Sequence, residues 1–372
     1  MSKNYYSLGL MSGTSMDGVD ASIIQSDGKT KYKPILDKYF KYPFSIYKDL
    51  TKLRNKIKKT KDLKNFLKQA KLIETKITLF HVKAVKEILK KTKKRIDFIG
   101  FHGQTIFHNA EEKISKQLGD GQLLSKLTKK KVVYDFRQND LKNNGNGAPL
   151  TPIFHKLLKR KFKIKKNVYF LNIGGITNYT YIYNGDILEA TDVGPGMCLI
   201  DELMRKKLNK RYGKNGKLAK SGKINKKMLN KLQKKLKEKT FLTGHAHLKT
   251  KSFDTKDFNF SFVKKLSLKD GAATLAEFTS GVLHSFIKNT KSNKEKIILC
   301  GGGRKNKLLI KKFRKKNKNT KLIDDYGING DFIESQAFAY LAIRSFLKLP
   351  ISFPETTGCK KSCTGGVIVK NF

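Results

Sequence analysis

Twice in this chain an apolar strand runs into a glycine turn and straight back out into a second strand. Residues 5–25 read YYSLGLMSGTSMDGVDASIIQ, and residues 168–183 read VYFLNIGGITNYTYIY. A strand–turn–strand opening pairs antiparallel, whereas a Rossmann dinucleotide fold opens strand–turn–helix on a G-x-G-x-x-G fingerprint. That fingerprint is absent, so the dinucleotide fold is excluded. Asp27-Gly28 turns the first opening into a third strand around Ile35–Tyr42, and Asn184-Gly185 predicts a hairpin turn after the second.

Helical spacing follows each opening. Leu50, Leu53 and Ile57, then Leu79, Val82, Val85 and Leu89, recur at three and four residues. Helices are predicted over 46–70 and 73–92, then over 198–209, 225–238, 270–289, 306–316 and 331–347. Buried strands are expected at 97–101, ending in His102-Gly103, at Val132–Tyr134 and at 297–300. The pattern reads as a duplicated α/β domain with a cleft between the copies. Gly145 to Pro152 has the composition of a connector between them.

The 372 residues carry 80 Lys+Arg against 30 Asp+Glu, a formal charge of +50. Nucleic acid is the first partner such a charge brings to mind. Only nine of the basic residues are arginine, the residue whose fork reads bases and phosphates. The lysines are spread through almost every polar stretch, and no helix-turn-helix, zinc-finger or RNA-sheet motif accompanies them. A lysine-coated enzyme with no specific nucleic-acid partner is expected. No apolar run is long enough for a membrane span, and no secretory signal is expected at MSKNYYSLGLMSG. Cys198, Cys300, Cys359 and Cys363 are too few for a disulfide scaffold, and Cys359 and Cys363 lack a second pair that would complete a zinc site. His245-Ala-His247 is not read as a metal pair.

Three glycine groups stand where ligands of α/β sheets gather, beyond the ends of strands. Gly13-Thr14-Ser15-Met16-Asp17-Gly18 is rich in amides and hydroxyls. It reads equally as an anion-binding nest or as an ordinary hairpin turn. Gly174-Gly175 and Gly301-Gly302-Gly303 follow apolar strands in the second half. Together the three point to a phosphorylated nucleotide. Asp192 precedes Gly194-Pro195-Gly196, read as a tight turn. It is either a carboxylate held for proton transfer or a turn cap. His102 and the Asp135–Asp140 stretch put polar groups at strand ends. Arg137 offers its fork either to a ligand or to a structural pairing with Asp135 or Asp140.

These segments, in this order, closely resemble the 1,6-anhydro-N-acetylmuramic acid kinases. The resemblance runs through Gly9–Asp20, His102–Thr105, Gly119–Gly121, Asp135–Arg137 with Asp140, Gly147–Leu150, Leu171–Asn178 and Asp192–Gly196. It continues in Cys300–Arg304 with Asn306, Asp331 with Glu334, and Thr357-Gly358. It implies an α/β fold of two ribonuclease-H-like domains of the sugar kinase/Hsp70/actin type flanking a nucleotide cleft. The expected division is 1–145, completed by 348–372, and 146–347. The implied reaction uses ATP and Mg²⁺: water opens the 1,6-anhydro bridge of the amino sugar and O6 takes the γ-phosphoryl group. The implied setting is cell-wall recycling in a bacterial cytoplasm, by a homodimer.

Carried over by position, Gly13, Thr14, Ser15, Asp17 and Gly18 form the first phosphate loop, with Asp17 also a metal ligand. Gly174 and Gly175 form the second, Gly301, Gly302 and Gly303 meet the adenosine side, and Asp192 is the general base. His102 and Arg137 fall on the sugar side, with Asp140 behind them. Three stretches depart from the family pattern: Met197 stands where asparagine is common, Lys251–Asp257 lacks the usual arginine, and Asn143 and Asn144 before Gly145 make that stretch poorer in glycine. A kinase for another sugar, or a lysine-rich nucleic-acid module, are the competing readings. If the lysines act only as a diffuse cationic coat, DNA affinity falls ~10³-fold or more between ~50 and ~200 mM salt, with no sequence preference. Fluorescence anisotropy with several unrelated duplexes checks this, and one salt-resistant preferred duplex would contradict it.

Overall fold

The computed structural model describes residues 3–183, 187–208, 216–242, 253, 255, 258, 261–289 and 295–372, with 187, 239–242 and 285–289 described by backbone alone. The Asn184-Gly185 turn, His245, His247 and most of Lys251–Asp257 lie outside the described residues. The chain divides into two compact units, residues 1–164 with 331–372, and residues 165–330.

In the first unit, β1 (Tyr5–Ser12), β2 (Gly18–Ser26) and β3 (Tyr32–Lys41) form an antiparallel meander. β4 (Phe98–Asn109) lies parallel to β1 on the other side, and β5 (Ile114–Leu118) pairs back onto the outer part of β4. β6 (Lys131–Tyr134) runs parallel to β4, and a short strand Val367–Val369 closes the edge. The order is β3-β2-β1-β4-β6. In the second unit, β7 (Val168–Ile173), β8 (Ile176–Tyr183) and β9 (Ile187–Pro195) repeat the meander. β10 (Lys296–Cys300) and β11 (Thr320–Leu322) follow in parallel, giving β9-β8-β7-β10-β11. Both units therefore carry one plan: three antiparallel strands, then two parallel ones beside the first.

Strand alternation explains how the first sheet is covered. Leu8 and Leu10 point into a core shared with Ile73, Ile77, Val85 and Ile88 of the helix Leu67–Leu89. Gly9 points the other way, and its partner across the parallel ladder is Gly100. A Cβ on Gly9 would sit 1.9 Å from the Ser335 carbonyl oxygen and 2.5 Å from the Ala339 amide nitrogen, and one on Gly100 would sit 2.2 Å from the Phe338 carbonyl oxygen. The helix Ile333–Phe346 thus lies with its backbone directly on two glycines. It is buried almost throughout its length and uses alanine at 337, 339 and 342.

That packing moves both expected domain boundaries. Residues 331–347 belong with the first unit, not the second, because this helix covers its sheet. Residues 146–164 belong there too. The helix Pro152–Lys161 buries Phe154 against Tyr32 and Tyr340, with ring centroids 5.2 and 5.7 Å away. Gly145 to Pro152 is therefore internal to the first unit. Asn146 N donates to the Thr357 carbonyl at 2.8 Å, so the stretch is tied down locally. β4 likewise does not end at His102. Gly103, at φ +74°, bends it, and the strand continues to Asn109 with β5 as its new partner.

In the second unit, Leu171 and Ile173 of β7 pack with Leu309, Ile310 and Phe313 of the helix Lys307–Lys316. Asn306 caps that helix by accepting from the Leu309 amide at 3.2 Å. A second core joins the helices Cys198–Leu208 and Leu268–Asn289.

The glycine packing carries a direct test. Gly9→Ala is expected to lower the unfolding free energy by ~1–3 kcal/mol or more, the cost of overpacking against backbone that has no other place to go. Gly302→Ala, where nothing lies within 4 Å of the added carbon, is expected to stay within ~0.5 kcal/mol. Urea denaturation of both variants measures the difference.

Candidate active site

The turn between β1 and β2 is held from several sides. Met16 sits at φ +56° with its side chain buried, and its amide donates to the Gly13 carbonyl at 3.1 Å. Gln104 Nε2 donates to the same carbonyl at 3.0 Å. The Asp17 carbonyl accepts from the Tyr42 amide and the Tyr39 hydroxyl, both at 2.9 Å. The turn's carbonyls thus point at protein donors, which leaves Thr14 and Ser15 exposed. Ser15 Oγ donates to Asp17 Oδ1 at 2.6 Å. The two bounding glycines differ. A Cβ on Gly13 would meet only Ser15 Oγ, at 3.9 Å, so that position is open to a ligand. One on Gly18 would strike the Phe40 carbonyl at 2.4 Å, so Gly18 is small in order to pack on β3.

Behind this turn lies a group of carboxylates that sequence reasoning did not assemble. Asp20 is pushed up to about 8 by burial and by the charges of Glu334, Asp17, Asp331 and Asp37. Asp37 is raised by burial and partly relieved by Ser22 Oγ, 2.6 Å away, and by Gln336 Nε2, which donates to both its oxygens at 3.1 and 3.0 Å. Ser22 Oγ also meets Ser335 Oγ at 2.6 Å, joining β2 to the helix Ile333–Phe346. The signal available in sequence was alternation. Asp20 and Ser22 share one face of β2 and alternate with the apolar Val19, Ala21 and Ile23.

His102 and Arg137 are brought together. Arg137 Nη2 lies 2.9 Å and Nε 3.3 Å from His102 Nε2. The guanidinium has only hydrogens to give, so Nε2 accepts and the imidazole proton sits on Nδ1, which donates to the Gly103 carbonyl at 2.8 Å. Burial and the Arg137 charge hold His102 far below the usual histidine range, so it is neutral. Both its nitrogens are engaged, so it acts by position rather than as a base. Arg137 Nη1 donates to the Gly147 carbonyl at 2.7 Å. Asp140 is buried and accepts from the Gly147 amide at 2.7 Å and from Thr357 Oγ1 at 2.6 Å. A continuous chain therefore runs from His102 through Arg137 and Gly147 to Asp140. His102 also lines a cavity of about 420 Å³ with Phe101, Gly119, Tyr134, Asp135 and Lys142. Asp135 sits there at φ +59°, its carboxyl raised by burial and drawn back by Lys116 and Lys142.

In the second unit the Gly174-Gly175 turn is joined to the end of β9. Gly196 N and Cys198 N donate to the Gly175 carbonyl at 2.9 and 3.2 Å, and Met197 N donates to the Gly174 carbonyl at 2.8 Å. Only glycine fits at 196, since a Cβ would lie 2.4 Å from the Gly174 carbonyl oxygen. Asp192 lies within β9 opposite Asn178, beside an irregularity at which β9 carries the extra residue Val193. The strand runs on to Pro195 and leads into the helix Cys198–Leu208, so the expected tight turn at 194–196 is a strand end. Asp192 Oδ2 accepts from the Phe253 amide at 2.7 Å. Met197, in place of the common asparagine, packs against both cores of this unit.

The triple glycine divides as the first turn does. Gly301, at φ +77°, and Gly303 are small because a Cβ on either would lie 2.3 Å from Asn172 Oδ1 or Ile173 Cγ2, and Gly302 alone is open. Arg304 was not named as a site residue, yet it fixes this loop. Its Nη1 donates to the Gly301 carbonyl at 3.1 Å, while Nε and Nη2 grip Asp324 at 2.6 and 2.9 Å.

Two α/β units on one strand plan, with open glycines at strand ends, fit a phosphotransferase of the sugar kinase/Hsp70/actin superfamily. A family model for anhydro-N-acetylmuramic acid kinase matches residues 5–371, and the chain belongs to that family. It is 54% identical over 381 residues to the "Anhydro-N-acetylmuramic acid kinase" of Pelagibacter ubique, covering 100% of both chains. It is 38% identical to the protein of that name in Zymomonas mobilis, over 97% of this chain and 98% of the other, and 35% identical to that of Agrobacterium fabrum, over 98% of each.

The buried ionisable groups set the pH profile of stability. Asp20 is 3.8 unfolded and about 8 folded, so its contribution is full below 3.8 and is lost as pH rises through 8. His81, brought down to about 4, and His155, to about 3, act the other way: their contribution is full above 6.5 and is lost as pH falls. In chelator-treated buffer, the unfolding free energy of wild type relative to Asp20→Asn is expected to drop by on the order of 1 kcal/mol between pH 6.5 and 7.5, a difference in which the histidine contributions cancel. Urea titrations of both proteins at the two pH values measure it.

Proposed function

We infer that the protein is an ATP-dependent kinase that hydrolyses the 1,6-anhydro bond of anhydro-N-acetylmuramic acid and phosphorylates O6. The products are N-acetylmuramate 6-phosphate and ADP. The reading rests on family membership together with one observation. Asp192 is a half-buried carboxylate held by the Phe253 amide, in the unit whose Gly174-Gly175 turn is joined to the end of its own strand. The strand orders β3-β2-β1-β4-β6 and β9-β8-β7-β10-β11 support reading each unit as ribonuclease-H-like.

Asp192 takes a proton from water as the water oxygen bonds to C1. The C1–O6 bond breaks, and O6 takes the γ-phosphoryl group as ADP leaves. Water is a weak nucleophile at an acetal carbon, so a base held in one place lowers the barrier. In the first unit the turn is open at Gly13, where an added Cβ would meet only Ser15 Oγ at 3.9 Å, and in the second unit Gly302 is open; each offers backbone to a phosphate or ring. His102 and Arg137 act on the sugar side by shaping a rigid wall rather than by exchanging protons. Their nitrogens are committed to each other and to the Gly103 and Gly147 carbonyls.

The carboxylates behind the first turn fit Mg²⁺. They are hard oxygen donors, and the proton that Asp20 retains to pH 8 marks negative charge in excess of what the protein neutralises. Asp17 and Asp20 would hold the ion, which when bound offsets charge on the transferring phosphoryl group. Substrate, ATP and the recycling of wall sugars place the enzyme in the cytoplasm.

Asp192→Asn keeps shape and removes the base. Its kcat is expected to fall ~10²–10⁴-fold, with ATP affinity by calorimetry near that of wild type. A variant retaining more than about a tenth of wild-type kcat, with chemistry rate-limiting, would remove Asp192 from the role. Mass spectrometry of products made in ¹⁸O-water, quenched before anomeric exchange, should place the label on the C1 hydroxyl. Label in the phosphate would contradict the mechanism.

A further inference from the structure

Two cysteines to which the reaction gives no part meet the Asp140 carboxylate inside the first unit. Asp140, Cys359 and Cys363 are all buried, and one ligand atom from each lies within 4.8 Å of the other two. Cysteine spacing alone gave no metal site because the third group arrives from the opposite end of the unit. We propose that Cys359 Sγ, Cys363 Sγ and the Asp140 carboxylate bind a borderline-soft divalent transition metal of the zinc type.

The donor set points to that class. Two thiolates with one carboxylate suit zinc, and a C-x₃-C spacing lets one short loop offer both sulfurs. Asp140 is prepared as ligating carboxylates are, oriented by hydrogen bonds from the Gly147 amide and Thr357 Oγ1. Each oxygen keeps a lone pair for a metal. Gly145 must be glycine for Asp140 to lie where it does, since a Cβ there would be 2.1 Å from Oδ2. Ser352 Oγ, 3.0 Å from Cys363 Sγ, holds the second thiol.

Burial pushes the Cys359 thiol up to about 12, with Asp140 and Cys363 adding to the rise. A divalent cation reverses that balance by drawing both protons off the sulfurs. Without metal, such protonated thiols are poor nucleophiles, which disfavours a disulfide between them. The bound ion would pin the 352–363 segment to Asp140, and through Gly147 to the Arg137–His102 pair at the cavity.

The test uses the full-length protein, reduced with a phosphine and stripped by chelator. Adding Co²⁺ should give a thiolate-to-cobalt charge-transfer band, and dialysis against Zn²⁺ should leave ~1 zinc per chain by elemental analysis. Both are expected to survive in Cys198→Ser/Cys300→Ser and to vanish in Cys359→Ser/Cys363→Ser, with circular dichroism confirming that each is folded. Thr357→Val should weaken zinc ~10–100-fold by removing the bond that orients Asp140. Absence of the band in folded, reduced wild type overturns the proposal. So does a band that persists without Cys359 and Cys363. A Cys359–Cys363 disulfide found by peptide mass mapping of freshly purified protein would also overturn it, because the pair would then be a redox couple.

Discussion

The backbone of one helix resting on two glycines organises the first unit. Gly9 and Gly100 face each other across β1 and β4, and the Ile333–Phe346 helix occupies the space their side chains would need. Because the approach is backbone to backbone, the helix has little freedom to slide: dispersion contacts are lost within a fraction of an ångström. Ser335 is thereby placed against Ser22, and the start of the helix delivers Asp331 and Glu334 to the side of Asp20. The cluster of carboxylates around Asp20 is a consequence of that packing. Glu334 stands in the helix's first turn, where the dipole tolerates negative charge.

The glycines of the three candidate loops share no single purpose. Gly18, Gly196, Gly301 and Gly303 are small because another part of the protein fills the space. Gly302 has nothing within 4 Å of an added Cβ, and Gly13 has only Ser15 Oγ, at 3.9 Å. Only the second kind leaves room for a ligand's phosphates or ring. The packing glycines hold each turn so that the open one stays open, and Arg304 does similar work at Gly301 through its grip on Asp324. A loop built this way is preorganised, so ligand binding need not first order the backbone.

His102, Arg137, Gly147 and Asp140 form the other stiff element. The chain alternates donor and acceptor without a gap, which fixes the imidazole tautomer and commits the arginine fork. The choice between a ligand fork and an ion pair, left open for Arg137 by its sequence, acquires a third answer: a histidine and a carbonyl. Asp140, expected behind the sugar contacts, also stands beside two cysteines that no spacing rule connects to it.

The sequence by itself determined the elements. Alternation and glycine turns predicted both meanders, and three- and four-residue spacing predicted most of the long helices, because side-chain burial imposes those periods locally; the expected helices 46–70 and 73–92 are instead Phe44–Lys56, Thr60–Asn65 and one continuous Leu67–Leu89. It also identified the loops at strand ends and, through their order, the family. Short elements escaped it. β5 and the strand Val367–Val369 are too brief to show a period, and β4 passes His102 only because Gly103 bends it toward β5. Tertiary structure alone decided which half the 331–347 helix joins, which glycines are filled or open, where Asp20 finds its four carboxylate neighbours, and what Arg137 grips. Each of these depends on groups far apart in the chain approaching within a few ångströms. No local pattern encodes such distances, since they follow from how whole elements pack.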